Sequence, residues 1–397
     1  MRALIIGAGI GGLATAVALR RVGIETLVIE RANSIREVGA GLSIWSNAVN
    51  ALRELGLDAS VMASASVIDR NLVQTPKGLL IARTELETIS RMAGAACVCI
   101  HRGVLQKILL DAVPPASVRT GARCSGFDNS TAILESGERI KADVLVGADG
   151  IASVIRERLH GAEAPRYAGY TCWRGIRQNN DGLLPERSAL LVIGGGSQFG
   201  VWPCGAGRLY WFLTKNSPQG TKQSKTEAVA VCRDWVAPVP EIVAGTPEDA
   251  ILQNDIVDRP PLRRWGRGVV TLLGDAAHPT TPNLGQGACQ ALEDAVVLAH
   301  CLRETRPIEA ALRKYERVRL PRTSEIVRNS WQTGKAMQLD SPALESLRNW
   351  FMGSWLGKRL EIRAFRSNLI HQLPRLQSSE QKAGNGVKLW HATAPAR

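Results

Sequence analysis

The sequence predicts an α/β protein with a Rossmann-like domain, an inserted antiparallel sheet and a set of C-terminal helices. The first observation is a strand, a glycine-rich turn and an alanine-rich helix within residues 3–22, which is how a βαβ unit begins. The second is a pair of apolar runs that end in acidic turns at Asp149 and Asp275, each followed by a helical pattern. The third is the stretch 165–261, where alternating or aromatic-rich runs are split by Gly, Pro, Asn and Asp, as is typical of antiparallel sheet.

The first thirty residues contain every part of a dinucleotide-binding unit. Gly7, Gly9 and Gly12 occupy the three positions of a G-x-G-x-x-G turn between a predicted strand and a predicted helix. They permit the tight turn, the close approach of a pyrophosphate and the packing of helix on strand, respectively. A second strand, Thr26–Ile29, ends in Glu30, where an acid accepts hydrogen bonds from both hydroxyls of a ribose. Because this acid disfavours a 2′-phosphate, we expect the resident dinucleotide to be FAD or NAD rather than NADP.

The stretch Val269–Leu302 predicts a strand, an acidic turn and a glycine-rich helix start. A buried, partly β-branched strand ends at Asp275, two prolines forbid an immediate helix, and Gly285-Gln286-Gly287 opens a helix of about five turns. The N–H groups at such a helix start lack internal partners and carry partial positive charge. The stretch is therefore suited to hold a polar, partly anionic ligand.

These patterns divide the chain into three parts: a discontinuous Rossmann-like domain, an inserted domain of mostly antiparallel sheet, and C-terminal helices with a tail. Their expected boundaries are 1–164 plus 262–335, 165–261, and 336–397. Further elements are expected as strands at 123–127, 131–134 and 139–146, a long helix at 308–330, two helices within 340–371 and a weakly ordered polar tail at 378–397.

The charge and the apolar runs of the sequence limit the kinds of partner that the protein can bind. The chain has 397 residues and a net charge of +13, yet no basic run is interleaved with aromatic residues, so we expect no nucleic-acid partner. The charge suits an anionic cofactor or substrate, or weak peripheral contact with a membrane surface. No apolar run reaches the roughly eighteen residues that a membrane span requires, and the sequence leaves monomer and dimer equally open.

The eight cysteines and six histidines predict neither a disulfide framework nor a metal site. No C-x-x-C pair occurs and the histidines show no metal-ligand spacing. Buried free thiols in a reducing, cytoplasmic compartment are the expected explanation. The apolar N-terminus, interleaved with glycines, fits the nucleotide-binding unit better than a targeting peptide.

The three motifs together, at Gly7–Gly12 with Glu30, at Asp149-Gly150 and at Asp275 with its continuation, resemble those of one enzyme family. That family is the single-component flavin-dependent aromatic hydroxylases, the para-hydroxybenzoate hydroxylase-like group A FAD monooxygenases. The match spans about residues 1–330. The residues of the last motif, Asp275–Gly287, and the run Tyr170–Gly175 are most similar to the subgroup that contains zeaxanthin epoxidase and bacterial urate hydroxylase.

The resemblance implies tightly but non-covalently bound FAD and a role for each matched position. Glycines of the first turn would hold the pyrophosphate, Glu30 the adenosine ribose and Asp275 the ribityl hydroxyls. Arg102 stands at a predicted helix start, where a cation is unfavourable unless it faces an anion, so it would reach the ribityl or pyrophosphate group. The full set of expected cofactor-binding residues is Gly7, Gly9, Gly11, Gly12, Glu30, Arg31, Ser43, Arg102, Asp149, Asp275, Pro282, Gly285, Gln286 and Gly287.

The resemblance also implies a reaction with molecular oxygen. NAD(P)H, binding transiently, would reduce the flavin, and a flavin hydroperoxide would hydroxylate or epoxidise an aromatic, heteroaromatic or alkene substrate. The expected substrate-site candidates are Arg174, Gln198, Trp202, Tyr210 and Asn283. Three of them depart from the urate hydroxylase pattern, which has asparagine, arginine and aspartate at the positions of Arg174, Gln198 and Asn283. Urate is therefore rejected as the substrate, and no catalytic base is named.

Two other functions stay open on the sequence. One is a FAD-dependent reductase or dehydrogenase on the same scaffold, similar to a polyprenyl reductase. The other is a non-catalytic flavin-binding protein that meets a membrane through its basic C-terminal helices. His278 is a tempting base, but a histidine in such a turn is more often a structural hydrogen-bond partner.

Overall fold

The computed structural model describes residues 1–35, 40–179 and 181–376. The strands are β1 (Arg2–Ile6), β2 (Glu25–Ile29), β3 (Gly41–Ile44), β4 (Ser66–Val67), β5 (Arg70–Gln74), β6 (Leu80–Glu85), β7 (Val98–His101), β8 (Val118–Arg119), β9 (Cys124–Asp128), β10 (Thr131–Leu134), β11 (Arg139–Lys141), β12 (Val144–Gly147), β13 (Arg166–Gln178), β14 (Ser188–Gly194), β15 (Ser197–Pro203), β16 (Arg208–Asn216), β17 (Ile251–Asp258) and β18 (Val270–Leu272). The helices are α1 (Ile10–Arg21), α2 (Ser46–Glu54), α3 (Asp58–Ser64), α4 (Leu86–Ala93), α5 (Arg102–Asp111), α6 (Val154–His160), α7 (Lys225–Cys232), α8 (Val239–Ala244), α9 (Gly287–Glu304), α10 (Ile308–Met337), α11 (Pro342–Gly353) and α12 (Trp355–Leu369). The expected tail at 378–397 lies outside the described residues.

A five-stranded parallel sheet in the order β18-β12-β1-β2-β8 forms the first layer. Strands β1, β12 and β18 are largely apolar and buried, and α1 and α9 pack against each other. The register pairs Ile6 with Gly147 and Gly147 with Leu272, so β1, β12 and β18 end at one edge. The three motif-bearing turns therefore meet there, which confirms the α/β, Rossmann-like fold class.

The predicted strand at 139–146 is two strands in two different sheets. β11 belongs to a three-stranded antiparallel sheet with β10 and β9, whereas β12 joins the parallel sheet. The chain changes partner between them, where the Ala142 amide donates to the Ser130 carbonyl and the Asp143 amide donates to that of Arg2. The Asp143 carboxylate also accepts a hydrogen bond from the Arg2 amide at 2.7 Å. A continuous apolar pattern cannot reveal such an exchange of hydrogen-bond partners.

A seven-stranded sheet in the order β17-β13-β16-β15-β14-β5-β6 forms the inserted layer. Most pairs are antiparallel, as expected, but β5 and β6 precede residue 165, and β5 joins β14 in parallel. One face packs Trp173, Phe199 and Trp211 against α7 and α8. The division at residues 164 and 261 remains a proposal, to which the structure adds that the sheet extends beyond it.

Four helices complete the fold at the C-terminal side. α9 is buried along its length and packs on α1, α2 and α10, while α10 runs for 30 residues. α11 and α12 follow in the positions that the sequence predicts for two helices. Every helix within the described ranges is too short or too polar to cross a membrane. All eight cysteines are buried free thiols.

Candidate cofactor and substrate site

The glycine turn after β1 is closed on its protein side and open on the other. Gly7 has a φ of +108°, and a Cβ there would lie 2.5 Å from the Ala148 carbonyl oxygen. A Cβ on Gly12 would lie 1.9 Å from the Gly7 carbonyl oxygen, and one on Gly11 would lie 2.8 Å from a leucine side chain. A Cβ on Gly9, in contrast, would have no neighbouring atom of the described residues within 4 Å. A ligand can therefore approach the backbone at Gly9.

Glu30 at the end of β2 reaches back to the glycine turn. Its Oε2 accepts a hydrogen bond from the Ala8 amide at 2.9 Å, and its Oε1 accepts one from the Ala32 amide at 2.9 Å. Arg31 follows it at an exposed position. The turn is held from the other side by Gln106 of α5, whose Nε2 donates to the Ala8 carbonyl at 2.8 Å. No sequence motif pointed to Gln106.

Asp149 organises the turn that follows β12. Its Oδ2 accepts hydrogen bonds from the Val154 amide at 2.8 Å and the Ile155 amide at 3.5 Å, at the start of α6. Burial raises the pKa of the Asp149 carboxyl. Its Oδ1 is buried and has no partner in the described part of the chain. One acceptor oxygen therefore remains for a ligand beside Gly150.

Asp275 lies in a 3-10 turn after β18, directly opposite the start of α9. Its side chain is open to solvent but sits in a recess, and a Cβ on Gly287 would lie 3.9 Å from its Oδ1. Desolvation in the recess raises the pKa of Asp275, while the nearby His278 and Arg102 oppose that rise. The recess thus brings Asp275, Arg102 and the start of α9 together.

The start of α9 presents free N–H groups to the same recess. Pro282 begins a short 3-10 turn, and Gly285 has a φ of +61°; a Cβ there would lie 2.7 Å from the Trp45 indole nitrogen. Gln286 follows as the residue before the helix, without a side-chain cap, and the first turn has no acidic residue. Ser43 of β3 lies alongside, with its carbonyl accepting the Cys289 thiol at 3.6 Å. This helix start can stabilise negative charge on a ligand.

Arg174 lies on the face of the seven-stranded sheet opposite the Trp173 core. Its guanidinium is near the Cys172 thiol and the phenols of Tyr210 and Tyr170, and no ion pair joins it to a carboxylate of the described residues. Burial raises the pKa of both phenols well above their ordinary value, so both stay neutral. An arginine in these surroundings can bind an acidic group of a ligand.

Three aromatic rings extend the same face. Trp202 stacks on Tyr210 at 6.0 Å between ring centroids and on Phe212 at 5.5 Å. Gln198, which pairs with Thr214 across β15 and β16, is buried, and its backbone N–H donates to Thr214 Oγ1 at 3.1 Å. The structure therefore brings Arg174, Gln198, Trp202 and Tyr210 onto one sheet face, where they form an aromatic wall with one cation.

A single hydrogen bond joins this face to the turn after Asp275. The Tyr170 hydroxyl donates to Asn283 Oδ1 at 2.8 Å. Gly334 of α10 makes this approach possible, because a Cβ there would lie 2.8 Å from the same oxygen. Four of the five expected substrate-site residues thus share one sheet face, and Tyr170 joins that face to the fifth, Asn283; their contact with a substrate stays a proposal.

A buried network of ion pairs supports the start of α9 from behind. Arg319 of α10 is fully buried; its Nη1 donates to Glu293 at 2.5 Å and its Nε to Asp294 at 2.6 Å. Asp294 also shares a hydrogen bond with His278 Nε2 at 2.6 Å, so the structure gives His278 a buried hydrogen-bond partner within the network. Glu293 accepts from Asn47 Nδ2, which also donates to Gln286. The sequence showed only an arginine-rich helix here.

Two aromatic residues of the site escaped the sequence analysis. Trp45 follows β3 and meets Phe365 of α12 edge to face, with ring centroids 6.0 Å apart. Phe365 packs with Trp202 and Tyr210 against the same cluster. No local pattern could join residues so distant in the chain.

The residues present fit the FAD that the motifs imply. The approach to Gly9 is open, and the start of α9 is uncapped. Two buried polar atoms, Asp149 Oδ1 and Gln286 Nε2, lack a partner within the described residues. Donors and acceptors left over in a recess are what a bound dinucleotide would satisfy.

Comparison with known proteins decides the family. A family model described as FAD binding domain matches residues 1–330. The chain belongs to this FAD binding domain family. FAD is accordingly its cofactor, and the resemblance to group A FAD hydroxylases is confirmed.

Curated relatives of this FAD binding domain protein are monooxygenases. It is 40% identical over 371 residues to aurachin C monooxygenase/isomerase of Stigmatella aurantiaca, covering 92% of this chain and 97% of the relative. It is 34% identical to the FAD-dependent urate hydroxylase of Klebsiella pneumoniae, covering 88% and 94%. It is also 34% identical to chloroplastic zeaxanthin epoxidase of Solanum lycopersicum, covering 82% of this chain but only 53% of that protein.

A solved structure agrees with these relatives. Klebsiella pneumoniae HpxO complexed with FAD and uric acid superposes with a TM-score of 0.87 at 31% identity, covering 93% of this chain and 97% of HpxO.

Proposed function

We propose that this protein is an FAD-dependent monooxygenase that uses NAD(P)H and O2 to hydroxylate or epoxidise an aromatic, heteroaromatic or alkene small molecule. The net reaction consumes one substrate, one NAD(P)H, one proton and one O2, and it yields oxygenated product, NAD(P)+ and water. The family, its monooxygenase relatives and the geometry of the cleft support this proposal. The eight buried thiols suit a reducing compartment, so we also infer a cytoplasmic location.

The observation that carries the proposal is the Tyr170–Asn283 hydrogen bond. It fixes the aromatic face of the inserted sheet beside the turn that leads from Asp275 to the start of α9. A cofactor held by that turn and a substrate held on that face would lie next to each other. Such proximity is required when oxygen passes directly from a cofactor to a substrate.

Bound FAD would supply the activation of O2, and the protein residues would supply binding, orientation and electrostatics. The open glycine turn and Glu30 would hold the adenosine half, while Asp275 and Arg102 would hold the ribityl half. The free N–H groups at the start of α9 would stabilise negative charge. Tyr170 and Asn283 would orient each other, so that the amide hydrogens of Asn283 face the substrate.

The wall that carries Arg174 indicates the class of substrate. The aromatic rings of Trp202, Tyr210 and Phe212 favour a flat, apolar ligand. Arg174 favours a ligand that also carries a phenolate, an enolate or a carboxylate. Electron donation from such an oxygen also activates a ring toward oxygenation. We therefore infer an aromatic or heteroaromatic substrate with one acidic oxygen.

The decisive experiment measures substrate-stimulated NAD(P)H oxidation by the flavin-loaded protein. Phenols, hydroxyquinolines, hydroxypyridines and isoprenoid alkenes are screened separately with NADH and with NADPH. For each stimulating compound, the product is analysed by mass spectrometry after reaction under isotopically labelled O2. We expect stimulation by an acidic heteroaromatic compound and one labelled oxygen atom in its product.

Two outcomes would contradict the proposal. A product that is reduced and unlabelled assigns the protein to the reductases of this fold. If the protein binds one FAD per chain but no class of compound stimulates its NAD(P)H oxidation, it is a non-catalytic flavin-binding protein. Arg174→Lys serves as the control for the substrate class, because it retains the cation but loses the planar guanidinium group.

A further inference from the structure

The outer surfaces of α11 and α12 form an apolar face, here called the C-terminal face. Eight of the thirteen exposed large apolar side chains among the described residues belong to these two helices. They are Leu344, Leu347, Trp350, Phe351, Trp355, Leu356, Leu360 and Ile362. The tryptophans are the most exposed of them, at 70% for Trp350 and 71% for Trp355.

The apolar residues of α11 lie on one side of the helix, and that side faces solvent. Leu344, Leu347 and Trp350 recur every three residues and so share one side. The opposite side holds the protein: Glu345 accepts the Gly195 amide at 2.6 Å, and Arg348 donates to two carbonyls at the end of α10. The polar residues thus anchor the helix while the apolar ones face solvent, which reverses the usual pattern of a surface helix.

α12 surrounds its exposed apolar residues with positive charge. Its inward side is marked by Phe365 and the buried Leu369. Its acid, Glu361, also lies on that side and accepts the Thr84 hydroxyl at 2.6 Å. The exposed cations of the helix are Lys358, Arg359, Arg363 and Arg366. Since the acids of both helices are bonded to the body of the protein, the outward charge of the face is positive.

The exposed apolar area of the C-terminal face reaches the size that often marks a site of interaction. The two tryptophans alone expose about 300 Å², taking roughly 200–250 Å² for each whole side chain. Patches larger than a few hundred Å² usually mark a site of interaction. Tryptophan, leucine and arginine on one amphipathic surface are the composition of helices that lie in a membrane interface.

We propose that the C-terminal face docks on the surface of an anionic phospholipid bilayer. Trp350, Trp355 and the leucines enter the boundary between headgroups and acyl chains, and the four arginine and lysine side chains of α12 bind lipid phosphates. The helices lie on the membrane and do not cross it. Each cation held near an anionic surface strengthens binding about fivefold.

Charge decides against the two other occupants of this face. In a symmetric dimer, α12 of one copy would approach the same basic helix of its partner, and like charges would oppose each other. The chain segment 377–397 carries Lys382, Lys388 and Arg397 against a single acid, Glu380, so it also lacks the complementary charge. An anionic lipid surface matches both the charge and the apolar residues.

The test uses the full-length, flavin-loaded protein and two kinds of vesicle. One is made of phosphatidylcholine alone and the other of equimolar phosphatidylcholine and phosphatidylglycerol. We expect flotation with the anionic vesicles, weaker binding as salt rises, and a blue shift of tryptophan emission. Trp350→Ala with Trp355→Ala should lower binding at least tenfold and abolish the shift. Arg359→Glu with Arg363→Glu should lower it at least about 25-fold, at fivefold for each lost cation.

Matched variants elsewhere on the surface separate docking from general effects. Leu252→Ala with Val318→Ala removes two exposed apolar residues, and Arg263→Glu with Arg317→Glu reverses two exposed cations outside the face. Both should bind vesicles as the unmodified protein does, and all variants should retain flavin and melting temperature. Equal binding to both vesicle types, or equal loss in all variants, overturns the proposal. A dimer that the tryptophan variant dissociates, without vesicle binding, assigns the face to a second copy and also overturns it.

Discussion

Replacing Arg319 by methionine should destabilise the protein by removing the centre of its buried ion network. The substitution deletes hydrogen bonds to Glu293, Asp294 and Gln290 that lie between 2.5 and 3.2 Å. Asp294 keeps His278, and Glu293 keeps Arg322, but both carboxylates lose an opposing charge inside the protein. Breaking a buried pair from one side costs about 3–5 kcal/mol.

That free energy converts into a measurable melting shift. At roughly 2 cal/mol/K per residue, unfolding 397 residues has an entropy of about 0.8 kcal/mol/K. A loss of about 3–5 kcal/mol therefore lowers the melting temperature by about 4–6 °C. The assay is thermal unfolding followed by circular dichroism, with Arg317→Met, an exposed position on the same helix, as the control.

The same variant should lose most of its defect in acid. Burial alone would raise the pKa of Asp294 and Glu293, but His278, Arg319 and Arg322 hold both below their ordinary values. The stability contributed by groups with lowered pKa is complete above the unfolded pKa of about 4 and is lost as pH falls below it. The melting difference between the two proteins should therefore be largest at neutral pH and shrink below about pH 4. A difference under about 1 °C, or one independent of pH, would refute the network's role.

Three further predictions concern the cofactor and substrate sites. Gly12→Ala should yield protein without flavin absorbance, since its Cβ would lie 1.9 Å from a carbonyl oxygen, whereas Gly9→Ala should fold and bind FAD more weakly. Arg174→Leu should raise the KM for an acidic substrate about 10–100-fold, the worth of a charge-assisted hydrogen bond, with FAD content unchanged. Tyr170→Phe and Asn283→Leu should each slow substrate oxidation about 2–10-fold, and together no more than either alone, because they share one hydrogen bond.

Each of these has an outcome that would count against it. Normal flavin content in Gly12→Ala would mean that the turn relaxes around the added carbon. An unchanged KM in Arg174→Leu, measured by steady-state NAD(P)H oxidation, would remove the arginine from the substrate site. Additive losses in the Tyr170 and Asn283 pair would show that the two residues act separately.

The sequence analysis predicted the cofactor side of the site better than the rest. Glu30 and the glycine turn lie within one short βαβ unit, whose geometry is set by residues close together in the chain. The turns of Asp149 and Asp275 lie at the same edge as the glycine turn, because the parallel strands that lead into them end together. The two helices expected within residues 340–371 appeared at those positions as α11 and α12.

Contacts between distant residues were beyond such reasoning. The Arg139–Val146 run divides between two sheets because each half finds a different hydrogen-bond partner. β5 and β6 extend the inserted sheet from far upstream. Local patterns carry no information about which strand a given strand will meet.

The sequence by itself therefore determined the fold class and the cofactor, since these depend on local motifs with strict steric demands. Only the tertiary structure decided that Arg319 is fully buried beneath the start of α9, that His278 faces Asp294, and that Tyr170 meets Asn283. The tertiary structure likewise left Trp350 and its neighbours uncovered. Burial and pairing are properties of the packed chain, and they decide whether a charge supports the fold or awaits a ligand.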